Sequence, residues 1–253
     1  MNVKICLSPA KGFQEAISQN MTSCLFSDKA KALVEVLQGY SKEELKVLFQ
    51  VSDKIAAENA LRFQTFSFEE GLRPAVETFD GMAFRAMDFA SMEEKSREYV
   101  RRNVVIFSGL YGYLRATDGV RAYRLDLKDK VCANGALDLY HYWGEDMAEA
   151  LKNDADGLII NLASKEYFRA VAPYIKNEKV VTCTFLVEKS GKKKNLSPWA
   201  KKGRGLMVRY MAENCVTDYR MLKDFQAEGF VFEGENCSKN GKHVEYVFVR
   251  QDV

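Results

Sequence analysis

Three short apolar runs in this chain end alike. Ile5-Cys6-Leu7 passes into Ser8-Pro9-Ala10-Lys11, Val105-Ile106-Phe107 into Ser108-Gly109-Leu110-Tyr111-Gly112, and Ile159-Ile160 into Asn161-Leu162-Ala163-Ser164-Lys165. In open α/β sheets ligands sit outside the carboxyl ends of the strands, where small residues let backbone amides approach an anion. If the three strands are parallel neighbours, Lys11 and Lys165 converge there. Ordinary βα turns with solvated lysines would carry the same residues. Glu166 fits either a general acid or base or a first-turn helix acid favoured by the dipole.

The second loop runs on through Tyr111-Gly112-Tyr113-Leu114-Arg115 to Arg121-Ala122-Tyr123-Arg124. Guanidinium forks hold phosphate oxygens in pairs, and tyrosine faces stack on bases or pack beneath an arginine. Arg115 and Arg124 are the candidates here; Tyr113 and Leu114 read equally as core, and Arg121 as surface.

The densest cluster is Lys192 to Arg209, with seven basic residues and no acidic one. At about 100° per residue, Trp199, Gly203, Leu206, Met207, Tyr210 and Met211 fall on one side of a helix, and Lys201, Lys202, Arg204 and Arg209 on the other. A helix built only for stability would place acids in its first turn. Lys192 to Lys194 read as a solvated hairpin. At Leu45 to Ala56 two helices meet across a tight connection, and Lys54 would meet a phosphate at the amino end of the second. The glycines usual in such DNA-binding hairpins are absent.

The elements that must position these residues alternate in a βα manner. Val3 to Leu7 reads as a buried strand. Helices follow from about 28 to 65, capped by Asp28, by Ser41 with Glu44 in a capping box, and by Ser52 or Asp53. Ser91 with Glu94 opens a helix to about Arg102, then a strand covers Val104 to Phe107. A helix covers Leu139 to Leu151 and a strand Leu158 to Ile160, and Ser164 caps a helix stopping near Pro173. Lys179 to Val187 and Lys194 to Leu196 are strands joined at Ser190-Gly191, Ser197-Pro198 starts a helix to about Asn214, and Phe230 to Phe232 and Val244 to Val249 close the chain. With no repeat or linker, one α/β domain over residues 1–253 is the simplest organisation.

Composition excludes little: 47% hydrophobic and 28% charged residues are globular values. The net charge of +2 means that any basic site must come from local clustering. No run reaches the roughly 18 apolar residues of a membrane span, and the first residues are no secretory leader, so a cytoplasmic protein without membrane contact is expected. Six scattered cysteines with no C-x-x-C pair imply reduced thiols. His141 and His243 read as packed or surface residues, leaving no basis for a metal site or cofactor.

Ser8-Pro9-Ala10-Lys11, Ser52-Asp53-Lys54, Ser108-Gly109-Leu110-Tyr111-Gly112-x-Leu114-Arg115, Tyr123-Arg124, Trp143-Gly144, Asn161-Leu162-Ala163-Ser164-x-Glu166-Tyr167 and Lys201-x-x-Arg204-Gly205-Leu206-Met207-x-Arg209 occur in this order along nearly the whole chain. Together they resemble the YaaA family of bacterial peroxide-stress proteins. The resemblance implies a single α/β domain with a mixed central sheet, flanking helices, a basic cleft and a helix–hairpin–helix-like element. It implies DNA binding that limits oxidative damage from peroxide and loose iron. The basic positions in matched motifs are Lys11, Lys54, Arg115, Arg124, Lys165, Lys201, Arg204 and Arg209, with Lys202 beside them. Phe13 to Ser23 departs from the family pattern. An enzyme for a small phosphorylated or nucleobase-containing substrate, with Lys11, Arg115 and Lys165 on the anion, is the alternative. A docking module for an acidic protein is the third.

Overall fold

Five consecutive apolar or buried positions, Val3–Leu7, form a strand sequestered along its whole length. It lies between two parallel neighbours, with Ile5 opposite Val104 of Val104–Ser108 on one side and Ile160 of Leu158–Asn161 on the other. Continuous apolar strands of this kind belong where both sheet faces are covered. The computed structural model describes residues 3–16 and 21–251. Residues 17–20 of the divergent first connection lie outside them.

The sheet runs in the order Gln226–Ala227, Phe230–Cys237, His243–Gln251, Lys179–Lys189, Leu158–Asn161, Val3–Leu7, Val104–Ser108, Gly112–Arg115, with Lys192–Lys194 paired on Lys179–Lys189. Its centre is parallel and its edges are antiparallel. The expected mixed sheet with flanking helices is therefore the architecture. Among the described residues, no helix is long and apolar enough to cross a membrane.

Local chemistry starts several helices as the sequence implies. Ser41 Oγ accepts from the Glu44 amide at 3.2 Å while the Glu44 carboxylate accepts from the Ser41 amide at 2.8 Å, closing the box before Lys42–Phe49. Ser52 caps Asp53–Gln64. Other starts differ. Asp28 lies within the first turn of Ser27–Gln38 rather than capping it. Ser91 makes no box with Glu94, because its hydroxyl donates to Asp88 at 2.6 Å and accepts from Arg209; the helix Glu94–Asn103 begins after Glu93. Ser197 is the first residue of Ser197–Glu213, one position inside the expected cap. The helix after Ser164 ends at Phe168, and Pro173 belongs to a separate 3-10 turn.

The helix Ser197–Glu213 is not simply two-sided. Gly203 faces the sheet, where a β-carbon would meet the Phe185 ring at 2.4 Å; Gly205 faces the helix Met82–Met87, where a β-carbon would stand 1.9 Å from the Ala83 carbonyl oxygen. Packing on Met82–Met87 divides the expected basic face. By the 100° spacing, Lys201 and Arg204 fall on one flank of Gly205, and Lys202 and Arg209 on the other.

Gly205→Ala improves helix propensity by about 1 kcal/mol, yet overpacking of this kind costs roughly 1–3 kcal/mol or more, here against backbone that cannot swing away. Urea denaturation should show a net loss of stability in the variant. Equal or greater stability would mean that the two helices do not approach as described.

Candidate functional site

The carboxyl ends of Val3–Leu7 and Leu158–Asn161 open on a cavity of about 480 Å³. Its walls come from the Ser8–Gly12 loop, the start of Met82–Met87, the segment after Tyr123, the residues following Asn161, and the helix Ser197–Glu213. The two loops from the strand ends are tied together: Ser8 Oγ accepts from the Ser164 amide at 2.8 Å and donates to Ser164 Oγ at 3.3 Å. Asn161 Oδ1 accepts from the Ala163 amide at 3.0 Å. The small polar residues thus shape the loops, and longer side chains supply the charge.

Lys11, Lys128, Lys201 and Arg204 line this cavity. Lys11 is held by Asp126 at 2.9 Å, and Asp126 also accepts from the Tyr167 hydroxyl at 3.0 Å. Arg204 is different. It is half-buried, burial alone pulls its pKa down, and it has no hydrogen bond or acidic partner among the described residues. Guanidinium stays protonated in proteins, so Arg204 is a partly desolvated cation awaiting a counter-ion. Lys128 and Lys201 also make no hydrogen bond or ion pair among the described residues.

Glu166 lines the same cavity, and its Oε1 is buried with no donor among the described residues. Burial first, then the nearby Asp126 charge, pushes its pKa up; Lys128, Lys11 and Arg169 oppose this incompletely. Protonated, it would be a hydrogen-bond donor; ionised, a base.

The strands do lie side by side, but the three ends do not behave alike. Ser108 is fully buried; its Oγ accepts from the Tyr111 amide at 2.9 Å and bonds the Tyr123 hydroxyl at 2.6 Å, sealing that turn. Lys165 is exposed and off the cavity, because Glu166, one residue further round the helix, faces in instead. Arg115 sits on the edge strand, paired with the buried Asp118 at 2.9 Å and donating to the Ser23 carbonyl at 2.8 Å. Arg209 spans the carbonyls of Met87 and Asp88 and pairs with Glu213 at 2.8 Å. Lys202 pairs with Glu228 at 2.9 Å and lies over the Trp199 ring. Arg124 is half-buried and Lys54 exposed, neither lining the cavity nor paired among the described residues. Of the nine basic positions singled out, the cavity gathers Lys11, Lys201 and Arg204.

Lys128 and Asp126 were not singled out from sequence, although a signal exists. Leu125 and Leu127 are buried, while Asp126 and Lys128, which alternate with them, line the cavity where the chain enters a turn closed by the Asp129 amide on the Asp126 carbonyl at 3.0 Å. Asp129 follows. Burial pushes its carboxyl up to about 6, even though it accepts from the Asp126 amide at 2.8 Å.

The features define an α/β protein with a crevice at its parallel strand ends, the place where open α/β sheets commonly bind ligands. The model of the peroxide stress protein YaaA family matches residues 3–236. A UPF0246 protein of Clostridioides difficile (strain 630) is 33% identical over 250 residues, covering 98% of this chain and 99% of the relative. One from Ligilactobacillus salivarius (strain UCC118) is 37% identical over 251 residues, covering 98% and 100%. A third, from Ralstonia pickettii (strain 12J), is 36% identical over 238 residues, covering 90% and 93%. The chain belongs to the YaaA peroxide stress protein family.

Asp129 gives the segment beside Lys128 a pH signature. Its folded pKa, about 6, stands above the unfolded carboxylate value. The native state therefore binds more protons between roughly pH 4 and 6, and this group's contribution to stability falls as pH rises through that window. Asp129→Asn keeps an acceptor for the Asp126 amide and removes the titration. Urea midpoints measured from pH 4 to 7 should show the variant gaining on the wild type as pH rises; parallel profiles would contradict the shift.

Proposed function

We propose that this protein acts in peroxide stress by binding DNA through phosphate contacts, largely without regard to sequence, and so limits oxidative damage to it. The observation that carries the reading is Arg204, a half-buried guanidinium with no counter-ion among the described residues, flanked in one cavity by Lys11, Lys128 and Lys201. Arginine and lysine contacts to phosphate position a protein on a backbone and carry no base information. Family membership supports the stress role.

A second contact is supplied by the helix–hairpin–helix-like element. Lys42–Phe49 ends at Gln50, which takes the left-handed conformation at φ 50° where a hairpin glycine is usual, and Ser52 then starts Asp53–Gln64. That turn leaves Lys54 exposed beside the amides of a helix amino end.

The compact cavity also favours a second reading, an enzyme for a small phosphorylated or nucleobase-containing molecule. Glu166, with an unpaired buried oxygen, would be its general acid or base.

Anisotropy of a labelled duplex should show affinity falling steeply between 50 and 200 mM salt, on the order of tenfold or more for a few released counterions. Arg204→Ala with Lys201→Ala should weaken binding by roughly tenfold and flatten the salt slope by about one unit per lost contact. Salt-insensitive binding, or an unchanged double variant, would contradict the proposal.

A further inference from the structure

The cavity is over-provided for an internal phosphate of a nucleic-acid strand. A phosphodiester carries one negative charge, whereas Arg204, Lys201 and Lys128 all line the cavity with no hydrogen bond or ion pair among the described residues. A phosphodiester also accepts hydrogen bonds only and cannot take up a proton near neutral pH, so an ionised Glu166 beside it would repel. A phosphate monoester answers both features: it carries about −1.5 to −2 charges at pH 7 and has a second ionisation near 6. The volume of about 480 Å³ suits a mononucleotide-sized group.

We infer that the cavity is a site for a phosphate monoester, whose head is gripped by Arg204, Lys201 and Lys128 and shares one proton with the Glu166 carboxyl. The monoester is either a free nucleotide or the phosphorylated end of a DNA strand. The charged and titratable groups around Glu166 are Asp126 and Lys128 on the segment after Tyr123, Lys11 on the first loop, Tyr140 on the helix Leu139–Asp154, and Tyr167 and Arg169 on its own stretch. Lys201, Arg204 and Asp80 complete the cavity wall. Lys11 is engaged by Asp126 and Asp80 by Arg85 at 2.6 Å, so neither supplies Glu166 with a partner. One carboxylate oxygen thus stays unpaired until a ligand or a proton arrives.

The inference rests on the reading of the cavity as a phosphate site, and calorimetry on the intact protein separates the two. Thymidine 5′-monophosphate should bind at least tenfold more tightly than a dinucleoside monophosphate, which has only an internal diester. A 5′-phosphate on a short DNA strand should tighten its binding if strand ends are the source; a gain confined to the free nucleotide assigns the small molecule. Titrations in buffers of different ionisation enthalpy between pH 5.5 and 7.5 should report proton uptake at Glu166. Glu166→Gln, which keeps a donor in place, should retain affinity within about threefold and lose that uptake. Equal affinity for monoester and diester, or uptake unchanged in Glu166→Gln, overturns the inference. If Arg204→Ala still weakens both ligands, the phosphate reading survives alone; if it weakens neither, that reading falls too. The wild-type comparison needs no variant to fold.

Discussion

The contact between Gly205 and the Ala83 carbonyl governs how this molecule presents its charge. Only a residue without a β-carbon allows the two backbones so close. Once they meet, the basic residues of Ser197–Glu213 are sorted: Lys201 and Arg204 turn to the strand ends, while Lys202 and Arg209 find partners elsewhere. Gly203 against Phe185 fixes the opposite face on the sheet. Held between two packed surfaces, the helix sets Arg204 half-buried on the cavity wall.

That arrangement keeps a cation in a partly dry place without a counter-charge among the described residues, which stability alone would not favour. Local rules are broken where function is sited. Elsewhere the rules hold, as Arg115 with Asp118, Lys29 with Asp146 at 2.6 Å, and Lys4 with Asp154 at 3.6 Å each pair a basic side chain with an acid. Glu166 is the complement of Arg204: an acid in the same cavity with an oxygen left unpaired among the described residues.

Much of the fold could be read from the residues. Val3–Leu7, Val104–Ser108 and Leu158–Asn161 announce themselves as short, mostly apolar runs, and Ser41 with Glu44 is a local device that needs no tertiary help. The Met82–Met87 helix and the Gly112–Arg115 edge strand escaped because six and four residues are too few for either periodicity to show. The site was half legible. Charge clustering found Lys201 and Arg204, and strand-end chemistry found Lys11, but neither could separate Arg204 from Lys202 or Arg209. That distinction depends on a helix far away in sequence. Lys128 required knowing that Leu125 and Leu127 point inward, and of the adjacent candidates Lys165 and Glu166 the sequence does not say which faces the cavity; Glu166 does.

A crystal structure of the protein with a short 5′-phosphorylated DNA strand tests the account most directly. A phosphate oxygen hydrogen-bonded to the Arg204 guanidinium, within the cavity outside Leu7 and Asn161, is the predicted result. DNA seated elsewhere, with Arg204 still unpartnered, would contradict it.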